Sequence, residues 1–233
     1  KGGSYQPKLV HMVAPTVWAW GAWRAKKFGQ IFDYIFCLFP FELPYFKSQT
    51  ANAVFVGHPD ADGKARPMPD RNSGVHILLL PGSRRKEIEC HLPLMLEACE
   101  KLLQNHPELR FSLPLLPHLH MLAAPFLAKS GLQEYVDLND SKVDKAFEHA
   151  HFIIASSGTV TLEAAIAGVP GVVIYHLSLV NRLFAKLFFK PETPVLPDII
   201  LGTDAYPFLI PPDLSTANIV QLAERGLQDI AAK

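Results

Sequence analysis

From Val75 onward the chain repeats one pattern: a short apolar run, a turn of small or polar residues, then a stretch with apolar side chains at helical spacing. "VHILLL" leads through "PGSRRKEI" to "LPLMLEACEKLLQNH", "RFSLPLL" to "HMLAAPFLAKSG", and "YVDL" to "SKVDKAFEHA". "FIIA" then leads through "SSGT" to "VTLEAAIAG" and on to "VVIY". Consecutive strands separated by helices are joined by crossovers rather than hairpins, so the pattern predicts a parallel, doubly wound α/β sheet. The apolar runs are continuous rather than alternating, as expected of strands covered on both faces.

Two of the turns carry chemistry. In "FIIASSGTVTLEAAIAGVPGVVIYH" (152–176) a strand over Phe152–Ala155 precedes a small apolar helix that stops at Gly168, with Pro170 just beyond. The turn Ser156, Ser157, Gly158, Thr159 therefore falls at the carboxyl end of a strand, where open α/β sheets bind ligands. The free N–H groups and partial positive charge of a helix start suit a phosphate there, and Gly158 lets it approach the backbone. Ser157 or Thr159 could equally serve as a plain helix cap and bind nothing. In "LLLPGSRRKEI", Arg84 has the donors to grip a phosphate bidentately, or to pair with Glu87 on the following helix. Both turns lie on the same edge of the sheet and could hold one diphosphate between them. Glu163 follows Thr159 by one helical turn and sits among apolar neighbours. A carboxylate placed there needs a partner, and ribose hydroxyls would supply one.

Other features bound the reading. With 233 residues the chain can form one to two domains, and its zero net charge carries no electrostatic footprint for nucleic acid. Three cysteines, Cys37, Cys90 and Cys99, show neither paired nor zinc-type spacing and suit a reducing compartment. No apolar run reaches the roughly 18 residues of a membrane span. Residues 1–62 hold Trp18, Trp20, Trp23 and the run "IFDYIFCLFPFELPYF", and "GHPDADGKARPMPDRNSG" then reads as a linker. The expected division is thus 1–62 and 63–233. The six prolines between 191 and 212 predict an irregular loop.

Six stretches carry a resemblance: "VAPTVWAWGAWRAKK", "FPFE", "FVGHP", "LLLPGSRRKEI", "SSGTVTLEAAIAGVPGVVIY" and "LPDIILG". They occur in the order found in lipid-A-disaccharide synthase, and the resemblance covers most of residues 9–202. It implies the glycosyltransferase B fold: a Rossmann-like UDP-sugar domain at 63–233 and, at 1–62, the remnant of a second, acceptor-side domain. It also implies an inverting transferase that joins UDP-2,3-diacylglucosamine to 2,3-diacylglucosamine 1-phosphate, releasing UDP, with no metal and no cofactor. Such an enzyme works in the cytoplasm, peripheral to the inner membrane, and the apolar residues of the first sixty positions would meet acyl chains or the membrane. A second copy or an upstream N-terminal half would be its protein partner.

By the same resemblance Arg84 faces the UDP diphosphate and stabilises the leaving group, Ser157, Gly158 and Thr159 form the phosphate turn, and Glu163 is the acidic residue beyond it. Trp18, Trp20 and Arg24 match the segment on the acceptor side, where core packing is the alternative for the tryptophans. The family's candidate base falls upstream of Lys1, with His11 or His58 as substitutes inside the chain. Asp198 stands where the family has asparagine near the nucleotide-sugar, which would place an extra negative charge at the cleft unless Arg182, Lys186 or Lys190 offsets it. Two other readings share the turn–helix–Glu pattern: a non-catalytic UDP-binding remnant, and another UDP-sugar enzyme of this fold, such as the lipid II transferase or a UDP-GlcNAc 2-epimerase.

Overall fold

The computed structural model describes residues 7–47, 52–62, 74–176 and 194–232. They form two compact units, 7–47 with 52–62, and 74–176 with 194–232. Arg182, Lys186 and Lys190 lie outside the described residues.

The first unit is a strand–helix–strand arrangement: β1 (Val10–Met12), α1 (Arg24–Ile31), β2 (Tyr34–Cys37), α2 (Leu43–Lys47) and β3 (Asn52–Phe55). Its three strands are parallel, in the order β1-β2-β3. Val17, Ala25, Ile35, Cys37 and Phe46 form a small core, each almost fully buried. Many apolar side chains remain outside it, among them Val10, Met12, Trp20, Trp23, Val54 and Phe55.

In the second unit the predicted alternation is realised. It comprises β4 (His76–Leu80), α3 (Arg85–Asn105), β5 (Arg110–Pro114), α4 (Pro117–Ser130), β6 (Val136–Asn139) and α5 (Val143–Ala146). Then follow β7 (Phe152–Ser156), α6 (Thr159–Ile166), β8 (Gly171–Ile174), α7 (Leu196–Leu201), β9 (Phe208–Leu209) and α8 (Thr216–Ala231). All six strands are parallel, in the order β6-β5-β4-β7-β8-β9. This is the doubly wound order whose first and fourth strands lie side by side at the point where the chain reverses its direction of travel across the sheet.

The two-residue period of a strand explains how both faces are filled. Ile77 and Leu79 of β4, with Phe152 and Ile154 of β7, face a large core against α3, α4 and α8. Leu78 and Leu80, with Ile153 and Ala155, face a smaller core that includes Ala164 of α6, Val195 and Tyr206. On α3 the buried residues Ile88, His91, Leu92, Met95, Cys99 and Leu102 recur every three or four positions, which makes one continuous stripe.

Two segments differ from the sequence expectation. The stretch 191–212, read as an irregular loop, contains α7 and β9 among its described residues. Pro197 sits in the first turn of α7, where a missing N–H costs nothing, and Gly202 ends the helix in the left-handed conformation at φ 68°. The helix expected over "SKVDKAFEHA" is regular only across Val143–Ala146. It then tightens into turns bonded three residues apart, Glu148 N–H to Lys145 O at 3.0 Å and Ala150 N–H to Phe147 O at 3.3 Å, which brings both Phe147 and Ala150 into the core.

Close packing sets a test. Alanine is intrinsically preferred over glycine in a helix by about 1 kcal/mol. At Gly226 of α8, however, a methyl group would run into the ring of Phe152, which is 2% exposed and held in β7. Gly226→Ala is therefore expected to destabilise the protein by about 1–3 kcal/mol in urea unfolding, against the helix preference.

Candidate functional site

Four loops leave the carboxyl ends of β4, β5, β6 and β7, and between them lies a cavity of about 530 Å³. Its described lining residues all belong to the second unit. The β4–α3 loop contributes Pro81 to Arg84, with Glu87 from the first turn of α3. The β5–α4 segment contributes Pro114 to Leu116, the β6–α5 loop Asp140 to Lys142, and β7–α6 supplies Ser156 to Val160 with Glu163. The structure thus brings Arg84, Ser157, Gly158, Thr159 and Glu163 to one cavity.

Of the helix starts that line this cavity, those of α3 and α6 differ. At α6 the N-cap is Gly158, in an extended conformation, and no side chain caps the helix. The Thr161 hydroxyl turns back to donate to Gly158 O at 2.7 Å, so it satisfies a carbonyl and leaves the N–H groups of the first turn alone. A side chain at Gly158 would meet nothing within 4 Å, so the approach to this backbone is open. The plain-cap alternative for Ser157 and Thr159 is not what the chain adopts.

At α3 a carboxylate of the protein itself occupies the turn just before the helix. Glu87 Oε2 accepts the N–H of Ser83 at 3.0 Å and of Arg84 at 3.2 Å, while its Oε1 pairs with Arg84 Nη1 at 2.7 Å. The Arg84 side chain remains 80% exposed, so it can turn toward an anion in the cavity. Gly82 makes this clamp feasible. Its φ of 117° suits glycine, and a methyl group there would overlap the Glu87 carboxylate.

Lys142, Asp140 and Ser141 were not singled out from the sequence. Their signal was position: they follow a short predicted strand, as the other two turns do. Their loop is shaped by Asn139, whose Oδ1 accepts Ser141 N–H at 3.0 Å and whose Nδ2 donates to Asp137 Oδ2 at 2.8 Å. Lys142 adds a second cation to the cavity rim beside Arg84.

The remaining candidates lie elsewhere. Trp18 is buried in the first unit, edge-on to Phe41 at 5.3 Å between ring centroids, so for this tryptophan packing accounts for the burial. Burial pushes the Glu42 carboxyl above its ordinary range, opposed chiefly by the Phe39 N–H that it accepts at 3.0 Å. Trp20 is half exposed, and Arg24 lies over its ring at 4.2 Å while donating to Trp20 O at 3.1 Å. His11 packs against Phe28 and Phe32, and His58 stacks on Phe39.

Asp198 has a structural setting of its own. It does not line the cavity. It is 5% exposed in the first turn of α7, and its Oδ1 accepts the N–H of Ala205 at 3.0 Å and of Tyr206 at 3.2 Å. The carboxylate ties α7 to the segment that precedes β9, where the buried Tyr206 N–H needs an acceptor.

Comparisons with known proteins agree with this geometry. A family model described as lipid-A-disaccharide synthetase matches residues 1–228. The chain is 35% identical to lipid-A-disaccharide synthase of Geobacter sulfurreducens, over 96% of its own length and 60% of that protein. It is also 35% identical to that of Nitrosococcus oceani, over 95% and 59%. The chain thus spans about 60% of the length of the curated relatives it matches. Among solved structures, the S. aureus MnaA–UDP complex superposes with a TM-score of 0.59 at 16% identity, covering 87% of this chain and 54% of that one. S. aureus TarM, solved with fondaparinux, alpha-GlcNAc-glycerol and UDP, gives 0.53 at 13% identity, over 91% and 39%. At these identities the likeness concerns the fold, which is that of the glycosyltransferase B proteins.

The position of Asp198 makes its substitution a stability experiment. Asp198→Ala would strand the buried Tyr206 N–H, while Ala205 N–H keeps Thr203 O at 2.9 Å, and is expected to cost about 1–3 kcal/mol in urea unfolding. Nucleotide binding by the protein that remains folded should be unchanged, as read by calorimetry.

Proposed function

The chain belongs to the lipid-A-disaccharide synthase family, and on that premise we propose that the cavity of its second unit holds the UDP portion of a nucleotide-sugar donor. The observation that carries the proposal is the open N-terminus of α6, with no capping side chain, facing the same cavity as Arg84. Helix N–H groups and a guanidinium together match the oxygens of a diphosphate. Glu163, half-buried one turn into α6, is placed to accept from ribose hydroxyls. Lys142 would add charge at the rim.

The proposed reaction is transfer of the diacylglucosaminyl group of UDP-2,3-diacylglucosamine to 2,3-diacylglucosamine 1-phosphate, with inversion. As the bond to the anomeric carbon breaks, negative charge gathers on the departing UDP. The α6 dipole would meet that charge without reorganising, which is the most effective form of electrostatic stabilisation, and Arg84 would turn from Glu87 to meet it. A base on the acceptor side would take the proton of the attacking hydroxyl. Trp20, Arg24 and the exposed apolar residues of the first unit support contact with a lipid acceptor and with the inner-membrane surface. No helix among the described residues is long and apolar enough to cross a membrane.

Titration calorimetry with UDP tests the donor site. Arg84→Ala is expected to weaken binding by about 10- to 100-fold, the range of a charge-assisted hydrogen bond. Gly158→Ala should fold normally, because its methyl group enters open space, yet lose UDP because that space is where the phosphate belongs. The absence of heat at millimolar UDP from folded protein, or full affinity in Gly158→Ala, would overturn the assignment.

A further inference from the structure

His91 is 2% exposed on the buried stripe of α3, and each of its ring nitrogens meets the main chain of a different loop. Nδ1 lies 2.8 Å from Pro81 O, directly after β4, and Nε2 lies 3.0 Å from His176 N, just past β8. A carbonyl only accepts and an N–H only donates, so the ring must be neutral, with its proton on Nδ1. One turn earlier on the same helix, Glu87 holds the N–H groups of Ser83 and Arg84. Two side chains of α3 therefore secure both ends of the turn that carries Arg84, and the ring also ties that turn to the end of β8.

We infer that His91 is a positioning residue of the nucleotide cavity: its neutral ring locks the Arg84 turn to the end of β8, and protonation of the ring releases that lock and weakens donor binding. The inference rests on reading the cavity as a UDP site. An imidazolium has two donors, and its second N–H would point at the His176 N–H, donor against donor. His120 provides a contrast inside the same molecule. Its Nε2 lies 2.9 Å from Leu115 O and 3.2 Å from Asn139 O, both acceptors, so it joins the β5 and β6 loops through bonds that a protonated ring also makes.

The groups facing His91 are Glu87 on its own helix, Arg84 beyond it, the Tyr175 ring at 5.8 Å and His176 past β8. Burial lowers the His91 pKa most, and His176 acts in the same sense, while the Pro81 carbonyl and Glu87 oppose them. Because the folded value lies below the ordinary 6.5, the neutral ring's contribution is intact above that pH and is lost as pH falls through the lower, folded value.

The experiment is calorimetry with UDP-N-acetylglucosamine, whose diphosphate diester does not itself titrate between about pH 8 and about pH 5. The wild-type chain is expected to lose affinity about tenfold across that range as the ring gains its proton. His91→Gln, whose amide oxygen can take the acceptor position of Nε2 without ever charging, should bind nearly as well as wild type at the upper pH and show no pH slope. His91→Leu should bind weakly throughout. A flat wild-type profile, or the wild-type slope persisting in His91→Gln, overturns the inference.

Should wild type show no binding at the upper pH, the UDP reading has failed, and the lock is read directly from amide exchange. The His176 N–H should then be protected at about pH 8 and lose its protection factor by about pH 5, with the Ser83 amide loosening alongside it. The same exchange experiment on wild type decides the matter if a variant does not fold, and retained protection of His176 at the lower pH overturns the inference.

Discussion

The cavity of the second unit depends on one pairing in the sheet, β4 beside β7, with Leu80 opposite Ala155. These strands are neighbours in space and far apart in the chain, because β5 and β6 extend the sheet on one side and β8 and β9 on the other. The helices that follow them leave toward opposite faces: α3 packs on the large core with Ile77 and Leu79, and α6 on the smaller one with Leu78 and Leu80. A crevice between their starting points is the geometric consequence. Arg84 and the Ser157–Thr159 turn owe their proximity to this, and to no direct contact between them.

Two helix starts face the crevice, and the chain has treated them differently. At α3 a glutamate from the first turn takes up the N–H groups of Ser83 and Arg84, just before the helix, and holds the guanidinium of Arg84. That arginine is kept at the cavity by an exposed ion pair, which in water is weak enough to give way to a better anion. At α6 the cap position is a glycine, and no side chain takes up the N–H groups at its start. A negatively charged ligand therefore finds one permanent binder, the helix start, and one that must exchange partners.

The first unit has a different character. Its core is only a handful of side chains, and long apolar residues of β1, β3 and the tryptophan loop stand in solvent. Burial of Cys37 near Glu42 pushes that thiol up to about 11, so it behaves as a small apolar group within this core. The tryptophans divide in the same way: Trp18 is a packing residue, and Trp20 is a surface platform for Arg24.

Local relations were legible in the sequence. The strand–turn–helix rhythm gave the α/β sheet, because the periods of two and of three to four are properties of each segment alone. The same logic placed the "PGSR" and "SSGT" turns at strand ends, and set Glu163 one turn beyond Thr159. The Arg84–Glu87 alternative was also visible, since three residues on a helix are neighbours whatever the tertiary structure. What could not be read was which distant segments meet. Asp198 is an example. In the folded chain the backbone N–H groups of Ala205 and Tyr206 claim it, and nothing at position 198 announces them. The cavity wall at Asp140–Lys142 and the hold of His91 on Pro81 and His176 depend likewise on the order in which strands enter the sheet. Strand order is decided by burying both faces of the sheet at once, a property of the whole fold that no single stretch of residues encodes.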